Sequence, residues 1–418
     1  MKVLVIGGGG REHAVVKKLS ESPKIKKIYC APGNAGMGKI AQCVNIKATD
    51  IDGILDFLKD NPVDLVVVTP DDPLALGLVD KLNERNICAF GPTAKAAEIE
   101  SSKAFAKNLM KKYGIPTGAF EVFDNPEKAL QYVKNRQYPL VIKASGLALG
   151  KGVIIVENYR QAEETINQMM INDMFGSSGH TVIIEEFLQG PEVTVLAFTD
   201  GKTIKTMPSC QDHKRVFDND KGPNTGGMGA FSPSKHYTKE IEEYCINNIF
   251  YPTIRAMKKE GRNFKGVIYF QMMLTKDGPK VIEYNARFGD PETQVLLPLL
   301  KTDLLDIFNA VTDERLDKTD IQWENSAGAT VVLASGGYPK EYTKGYPISG
   351  LEQVQKQGIT VYHMGTAMKD GEYVTNGGRV LSLTAKGDTV EQAVARVYNN
   401  INKVCFKDMH YRKDIGRK

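Results

Sequence analysis

Short apolar runs alternate with amphipathic segments along the first hundred residues. The run VLVI (3–6) precedes a glycine turn and then a segment, 11–19, whose apolar positions recur at helical spacing. Further apolar runs of strand length lie at 27–31, 64–68 and 87–90. Strands that alternate with helices favour a parallel sheet covered by helices on both faces. The pattern therefore predicts an N-terminal α/β domain over residues 1–100.

The pattern changes after residue 100. Segment 102–113 has the apolar spacing of a helix, and the strands that follow are joined by hairpins as well as by helices. This mixture predicts an α+β central domain over residues 101–324, with a glycine-hairpin subdomain at about 120–188. The last segment, 325–418, has the pattern of a small β-rich domain that ends in a helix.

Composition and charge argue against a nucleic-acid-binding, membrane or secreted protein. The chain has 418 residues, of which 42% are hydrophobic and 25% charged, and a formal net charge of +4. That charge is too small for a nucleic-acid-binding protein of this length, which would gather Lys and Arg on one face. Apolar runs fall short of the roughly 20 residues that span a bilayer, and the N-terminal run is too short for a signal peptide. The six cysteines show no C-x-x-C spacing. We expect a reduced, cytoplasmic protein without nucleic-acid or membrane partners.

Two glycine-rich turns, 7–13 and 32–36, follow predicted strands of the N-terminal domain. Ligands of parallel sheets collect at the carboxyl ends of strands. A dinucleotide fingerprint G-x-G-x-x-G fails here, because Glu12 or His13 stands where the third glycine is required. Two interpretations remain open: an anion site at the start of a helix, or a tight connection between strand and helix.

The stretch GLALGKG (146–152) lies between two β-forming runs. It is not the phosphate loop G-x-x-x-x-G-K-[ST], because only three residues separate Gly146 from Gly150 and Gly152 stands where Ser or Thr is needed. The flanking runs, rich in Val and Ile, instead predict a β-hairpin whose tip folds over a ligand.

The segment KVIEYNARFGDPETQ (280–294) carries the clearest chemical signal. On a strand, Glu283, Asn285 and Arg287 point to one face. Two oxygen ligands of this kind suit Mg²⁺, which takes its other ligands from water and substrate phosphates. An arginine beside them can bind a carboxylate or phosphate through two hydrogen bonds. The alternative is a solvent-facing strand edge with a weak Glu–Arg ion pair.

Three further features are candidates for a binding site. Lys143 interrupts an apolar strand, where an ammonium group needs an anion beside it. Segment 210–233 is long and polar, and its apolar anchors favour an ordered substrate loop over disorder. The acids around 185–192 fit either a hinge that binds a planar base or a short acidic loop.

Together these segments resemble the ATP-grasp superfamily and, within it, the glycinamide ribonucleotide synthetase family. The resemblance covers nearly the whole chain, because eight segments occur in the family's order: GGGGREHA, PGNAG, FGPT, SSKAFAK, VIKASGLALGKGV, EEFLQGPE, QDHKRVFDNDKGPNTGGMGAFSP and NARFGDPETQ. It implies an N-terminal pre-ATP-grasp domain, an ATP-grasp core and a small closing domain. It also implies an ATP-dependent ligase that joins glycine to 5-phosphoribosylamine through glycyl phosphate, in the second step of de novo purine biosynthesis.

The resemblance further implies roles for individual residues, and a monomer. The ATP-binding residues would be Lys103, Lys143, Gly146, Gly150, Lys151, Gly152, Glu185, Glu186, Phe187, Leu188 and Glu192. The metal, Mg²⁺ or Mn²⁺, would be held by Glu283 and Asn285. Glycine and 5-phosphoribosylamine would contact Gly9, Gly33, Asn34, Asp212, Lys214, Arg215, Asn224, Gly227, Arg287 and Gly289. The catalytic residues would be Arg287, Lys143 and Asp290.

Two other function classes stay open. A carboxylase of the same pathway would share the ATP site but should lack NTGGMGA and FGDPE, and a non-catalytic nucleotide-binding module would be favoured by loss of Glu283 or Lys143. The chain departs from the family's pattern at Ser145, Leu149 and Gln271, and TPDDPLALGLVD replaces the more usual GPEAPL.

Overall fold

The N-terminal part of the chain forms a parallel sheet with helices on both sides. The computed structural model describes residues 1–148 and 152–417. The first elements are β1 Lys2–Gly7, α1 Gly10–Ser20, β2 Lys27–Pro32, β3 Gln42–Cys43, α2 Ile51–Asp60, β4 Leu65–Val68, α3 Asp71–Ala75, α4 Leu78–Glu84, β5 Ala89–Phe90 and α5 Ala94–Ser101. The strands lie in the order β3-β2-β1-β4-β5, and the pairs are parallel. Val3, Leu4, Val5 and Ile6 of β1 are all buried, as a sheet covered on both faces requires.

An antiparallel sheet carries the glycine hairpin. Its elements are α6 Lys103–Tyr113, β6 Phe120–Phe123, α7 Pro126–Val133, β7 Leu140–Ala144, β8 Val153–Val156, α8 Tyr159–Met170 and β9 Val182–Glu186. The strand order is β6-β9-β7-β8. Strands β7 and β8 pair from Leu140↔Val156 to Lys143↔Val153, so the predicted hairpin is present. Leu149, Gly150 and Lys151 at its tip lie outside the described residues.

The rest of the central domain contains a second antiparallel sheet. The elements are β10 Glu192–Thr199, β11 Ile204–Thr206, β12 Gln211–Asp212, β13 Arg215–Phe217, β14 Lys221–Asn224, β15 Gly229–Ser232, α9 Lys239–Cys245, a π-helical turn Ile246–Phe250, α10 Tyr251–Lys259, β16 Gly266–Thr275 and β17 Gly278–Asn285. The order is β11-β10-β16-β17. A bulge after Gln271 shifts the register of β16 against β17, so Gln271 lies opposite Glu283.

The C-terminal part is β-rich, as the sequence predicts, but its sheet takes in strands from the central segment. The helices α11 Glu292–Leu296 and α12 Leu304–Thr312 precede it, within the segment 101–324. Its own elements are β18 Ala327–Ala334, α13 Leu351–Lys356, β19 Thr360–His363, β20 Thr366–Lys369, β21 Glu372–Thr375, β22 Arg379–Gly387 and α14 Val390–Ile401. The order β12-β15-β18-β22-β19 shows that two strands of the polar segment 210–233 join the C-terminal sheet, β15 by pairing with β18 and β12 by pairing with β15. That segment is therefore ordered, as expected, but through long-range strand pairing that turn-rich sequence does not reveal.

Aromatic rings pack the N-terminal sheet against the segment that follows β17. Phe90 at the end of β5 lies 4.0 Å from Phe308, measured between ring centroids, and 6.5 Å from Phe288 in the turn after β17. The N-terminal sheet is thereby packed against the segment that carries Arg287 and Asp290. The predicted fold class is confirmed. Among the described residues, no helix combines the length and apolar character needed to cross a membrane.

Candidate active site

A cleft of about 920 Å³ lies between the hairpin sheet, the end of β17 and residues 211–226. The N-terminal domain contributes Arg11 and Asp71, and the C-terminal domain contributes Tyr338 and Arg379. The sequence-predicted site residues that line this cleft are Lys103, Lys143, Gly152, Glu185, Glu186, Phe187, Leu188, Glu192, Asp212, Lys214, Arg215, Asn224, Glu283, Asn285, Arg287 and Asp290. The fold thus brings together residues that are up to 187 positions apart in the sequence, from Lys103 to Asp290.

Several of the other predicted site residues do not line the main cleft. Gly146 lines a smaller cavity of about 380 Å³ together with Ser145 and Ser178. Gly33 and Asn34 lie where the two terminal domains meet, because the Asn34 amide donates to the carbonyls of Gly8 (2.9 Å) and His363 (2.8 Å). Two hairpin residues predicted to bind ATP, Gly150 and Lys151, fall outside the described residues.

The side chains at the end of β17 and in the two residues after it alternate as the strand spacing predicts. Tyr284 and Ala286 are buried in the apolar core, and the Tyr284 hydroxyl lies 3.0 Å from that of Thr253. Glu283 and Arg287, in contrast, keep 21% and 17% of their side-chain surface exposed, and with Asn285 they line the cleft. One strand end therefore presents an acid, an amide and a guanidinium to the same space.

A buried acid that sequence analysis missed, Glu100, holds this strand end in place. Its Oε1 is 2.8 Å from Arg287 Nη2, and its Oε2 accepts the Ala286 N–H at 2.7 Å. In the orientation that satisfies its hydrogen bonds, the Asn285 amide nitrogen also donates to Glu100 Oε1, at 2.9 Å. Burial raises the pKa of Glu100, and the positive charge of Arg287 opposes that shift. In sequence, Glu100 looks like an ordinary helical acid.

Glu283 stays ionised because cations surround it. Burial alone would raise the pKa of this carboxyl, but the charges of Lys214, Lys103, Lys143 and Arg287 lower it to about 2. Lys214 Nζ lies 3.6 Å from Glu283 Oε1. A carboxylate among four cations can accept a divalent metal, while the lysines face the anionic groups that such a metal brings with it.

Lys214 belongs to a polar chain that crosses the floor of the cleft. It donates to Gln271 Oε1, and Gln271 Nε2 donates to Glu192 Oε2 at 2.8 Å. Burial raises the pKa of the neighbouring Asp212, and Lys214 opposes that shift. Gln271 therefore links Lys214 to Glu192 and orients both side chains.

Two lysines share one acid beneath the hairpin. Glu185 Oε2 lies 3.1 Å from Lys143 Nζ and 2.9 Å from Lys107 Nζ, and all three side chains are buried. Burial lowers the pKa of Lys107 to about 8, against the opposing charge of Glu185. Glu185 Oε1 has no hydrogen-bond partner among the described residues. Glu185 is thus the anion that a lysine in an apolar strand needs beside it, as predicted for Lys143. Lys107 binds the same acid, although nothing in the sequence indicated that it belongs to the site.

Ser145 couples the two predicted phosphate-binding lysines. Its carbonyl accepts the Lys103 N–H at 2.8 Å, and its Oγ accepts the Ala104 N–H at 3.1 Å. Ser102 caps the same helix by accepting the Phe105 N–H. The start of α6 is therefore bound to the end of β7, two residues after Lys143.

Asp290 joins three parts of the chain. Gln294 Nε2 donates to its Oδ1 at 2.7 Å, and Arg379 Nη1 donates to its carbonyl at 2.9 Å. A Cβ on Gly9 would lie 3.5 Å from Asp290 Oδ2, and one on Gly227 would lie 2.5 Å from the ring of Pro291. These glycines allow the N-terminal turn and the segment 224–229 to approach the turn after β17, in which Gly289 also lies.

The segment after β9 differs from a simple acidic loop. The Glu186 carboxylate accepts the Ala119 N–H at 2.9 Å and lies 3.2 Å from Lys280 Nζ. Glu185 points the opposite way, toward the buried lysines. Phe187 and Leu188, which follow, line the cleft between these two acids and Glu192.

Family models match three consecutive parts of the chain. Residues 1–100 match the phosphoribosylglycinamide synthetase N domain, 101–293 match its ATP-grasp (A) domain, and 328–418 match its C domain. A phosphoribosylamine–glycine ligase from Caldanaerobacter subterraneus is 50% identical over 416 residues, which cover 100% of this chain and 99% of that protein.

Solved structures agree with these matches. The crystal structure of a phosphoribosylamine–glycine ligase from Thermotoga maritima superposes with a TM-score of 0.86 and 34% identity, over 99% of this chain and 100% of the other. The biotin carboxylase domain of Hydrogenobacter thermophilus 2-oxoglutarate carboxylase has a TM-score of 0.75 at 19% identity, over 98% and 91% of the two chains. The second likeness shows the fold alone.

Proposed function

The chain belongs to the phosphoribosylglycinamide synthetase family, and from this we infer that it joins glycine to 5-phosphoribosylamine with ATP, forming glycinamide ribonucleotide, ADP and phosphate. The resemblance recognised from eight short segments is thereby confirmed at the level of the family. Full-length identity of 50% to a ligase of this name supports the assignment over a carboxylase. The reaction is the second step of de novo purine biosynthesis.

The observation that carries the proposal is the face of β17. Glu283, Asn285 and Arg287 line one cleft with Lys103 and Lys143, and the charges of the cations hold Glu283 ionised. This is the set of groups that transfer of a phosphoryl group to a carboxylate requires, since catalysis there consists mainly of positioning and charge neutralisation.

The reaction needs two displacements. Glycine carboxylate is a poor electrophile, so one of its oxygens first attacks the γ-phosphorus of ATP and ADP leaves, which gives glycyl phosphate. The amine of 5-phosphoribosylamine then attacks the acyl carbon, the C–O bond to phosphate breaks, and an amide remains. Lys103 and Lys143 neutralise the ATP phosphates, and Arg287 holds the glycine carboxylate or the departing phosphate. Asp290 positions the turn in which these groups meet.

A divalent metal fits the donor set of this site. Glu283 supplies an ionised oxygen and Asn285 an amide oxygen, the hard ligands that Mg²⁺ or Mn²⁺ takes. Within residues 1–148 and 152–417, no group of three or more His, Cys, Asp or Glu side chains is placed to hold a metal unaided. Phosphate oxygens of ATP would therefore complete the coordination of the metal, together with the oxygens of Glu283 and Asn285. When bound, the metal would neutralise charge on those oxygens.

Water must be kept from glycyl phosphate, which hydrolyses readily. Closure of the hairpin, including Gly146, Gly150, Lys151 and Gly152, over the ATP phosphates would serve this need. The segment 224–229 would close from the other side, where Arg379 already binds the carbonyls of Gly226 (2.7 Å) and Gly227 (3.4 Å).

The remaining contacts are assigned on the same basis. The adenine would bind against Glu185, Glu186, Phe187 and Leu188, and its ribose against Glu192. Glycine and the amine substrate would contact Gly9, Gly33, Asn34, Asp212, Lys214, Arg215, Asn224, Gly227 and Gly289. The domain division would be 1–100, 101–324 and 325–418. The protein would act as a cytoplasmic monomer on small molecules, without nucleic-acid or membrane partners.

Mass spectrometry of the products tests this function. The enzyme is incubated with ATP, Mg²⁺ and 5-phosphoribosylamine, and the third substrate is glycine, alanine or bicarbonate. We expect glycinamide ribonucleotide and one ADP per amide with glycine, and little product with the other two. Carboxylated product from bicarbonate, with none from glycine, would instead show a carboxylase.

A further inference from the structure

Two cysteines outside the proposed chemistry stand side by side. Cys30 on β2 and Cys43 on β3 are register partners on adjacent parallel strands. Such strands lie about 4.8 Å apart, within the Cα separation of about 4.4–6.8 Å that disulfides accept. Side chains at paired positions leave the sheet on the same face, so the two thiols are neighbours.

The two thiols differ in access and acidity. Cys30 is fully buried, whereas Cys43 is exposed. The neighbouring Cys30 thiol lowers the pKa of the Cys43 thiol to about 7, and the interaction with Cys43, together with burial, raises the pKa of Cys30. Cys43 is therefore the more acidic of the two thiols and the one that a reagent from solvent can reach, while Cys30 lies buried beside it.

The pair touches the glycine turn that follows β2. A Cβ on Gly33 would lie 2.4 Å from Cys43 Sγ and 3.0 Å from Cys30 Cβ. Cys43 Sγ lies 3.6 Å from the Asn34 carbonyl. The backbone of Gly33 has φ +72°, which favours glycine, so the turn is built closely around the Cys43 sulfur and the Cys30 Cβ.

We propose that Cys30 and Cys43 are a redox-active dithiol, which a hydroperoxide closes to a disulfide beside the Gly33–Asn34 turn. The Cys43 thiolate attacks the terminal hydroperoxide oxygen, the O–O bond breaks, and the alcohol leaves with a proton. Cys30 sulfur then attacks the Cys43 sulfenic acid, the S–O bond breaks, and hydroxide leaves as water with the Cys30 proton. The two sulfurs lose two electrons, and the hydroperoxide gains them.

The disulfide acts on the substrate turn. An S–S bond of about 2.05 Å replaces the non-bonded contact between the two thiols, so Cys43 and the turn against it must shift toward β2. This consequence rests on the proposed function, in which Gly33 and Asn34 contact a substrate. The formation of the bond does not depend on that assignment.

Peptide mapping tests the dithiol directly. Trypsin cuts after Lys27, Lys39 and Lys47, so Cys30 and Cys43 fall in separate peptides, 28–39 and 40–47. After treatment with hydrogen peroxide and blocking of free thiols, we expect a cross-linked pair with the summed mass less two hydrogen atoms, which dithiothreitol separates. Exposed Cys88 and Cys405 serve as internal controls for thiol oxidation.

Single variants define each role. In Cys30→Ser, Cys43 should end as a sulfenic acid that dimedone traps, and in Cys43→Ser, Cys30 should stay reduced. The proposal fails if Cys30 and Cys43 remain thiols at a peroxide dose that oxidises Cys88 and Cys405, or if Cys43 over-oxidises without the cross-link.

Kinetics then separate this proposal from the substrate assignment. Oxidised wild type is compared with Cys43→Ser treated in the same way, and KM for 5-phosphoribosylamine should rise in the wild type alone and recover with dithiothreitol. A cross-link that leaves KM unchanged would contradict the placement of substrate at Gly33 and Asn34, while the dithiol would stand.

Discussion

Arg379 binds Asp290 at two points: Nη1 donates to the Asp290 carbonyl at 2.9 Å, and Nη2 lies 3.3 Å from the carboxylate. The same guanidinium donates to the Gly226 carbonyl at 2.7 Å. One residue of the C-terminal sheet thus ties the turn after β17 to the loop that would cover the site. Sequence analysis gave no reason to select it, because its partners lie 89 and 153 positions away.

Arg379→Ala should release the loop and admit water. We expect amide formation to fall by about 10-fold or more, with the ratio of amide to ADP dropping below one, because glycyl phosphate is hydrolysed. The ratio is measured by parallel assays of ADP and product. Arg396→Ala, which removes an exposed arginine of the same domain that donates to the Lys386 carbonyl, is the matched control. A fall in rate with the ratio still at one would contradict the water-exclusion role.

Glu283→Gln should abolish most turnover. The substitution keeps the shape of the side chain but removes the charge that four cations hold in place, so kcat should fall by at least about 10²-fold. Steady-state kinetics over a range of Mg²⁺ concentrations measure it. Asp277→Asn changes an acid in the exposed turn between β16 and β17 and should keep the wild-type kcat. Retained kcat in Glu283→Gln would exclude this residue as a metal ligand.

Removal of Glu100 should destabilise the protein through Arg287. Breaking a buried ion pair on one side costs about 3–5 kcal/mol, since the other charge stays buried. Glu98, only two residues earlier, pairs with Arg262 at 2.6 Å but keeps 37% of its side-chain surface exposed. Scanning calorimetry should show a much larger fall in unfolding temperature for Glu100→Ala than for Glu98→Ala, whose partly exposed ion pair is worth about 1 kcal/mol. Equal falls would show that Glu100 does not support the guanidinium.

The histidines at the contact between the terminal domains should make stability fall in mild acid. His13 Nδ1 accepts the His363 N–H at 2.9 Å, and both rings are buried. Burial is the main cause, and nearby positive charges are the second, that lower the pKa of His13 to about 3 and that of His363 to about 4. The unfolded chain binds protons below about pH 6.5 while the folded chain does not, so each histidine costs up to about 1.4 kcal/mol per pH unit below that value.

Denaturant unfolding at pH 7 and pH 5.5 measures this effect, in a window above the ordinary pKa of the carboxyl groups. We expect the free energy of unfolding to fall between the two pH values in the wild type, and the fall to shrink in His13→Gln. His236→Gln is the control, because His236 is only partly buried. An unchanged pH slope in His13→Gln would show that His13 is not protonated on unfolding in this range.

Local spacing predicted part of the site and could not predict the rest. Glu283 and Asn285 are two residues apart on β17, and the strand period places them on one face. Arg287 follows at the same spacing, two residues past the end of the strand, and lines the same cleft. Lys143 was identifiable because it interrupts an apolar run. Glu100 and Lys107 were not, since each sits on a helix where an acid or a lysine is ordinary, and its role depends on a partner 187 or 78 residues away, Arg287 or Glu185.

The fold shows the same division between local and long-range information. Alternating strands and helices predicted the parallel N-terminal sheet, and hairpin runs predicted the glycine hairpin. The pairing of β15 with β18, from Gly229↔Val331 to Ser232↔Gly328, was not predicted, because GAFS is short, follows a glycine-rich turn and finds its partner about a hundred residues later.

Transfer of oxygen from glycine to phosphate tests the central claim most directly. Glycine labelled with ¹⁸O in both carboxylate oxygens is incubated with ATP, Mg²⁺ and 5-phosphoribosylamine, and the inorganic phosphate is analysed by mass spectrometry. If the carboxylate attacks the γ-phosphorus and phosphate then leaves the acyl carbon, each phosphate carries one ¹⁸O and the amide retains the other. Phosphate without label, formed together with amide, would contradict the glycyl phosphate mechanism.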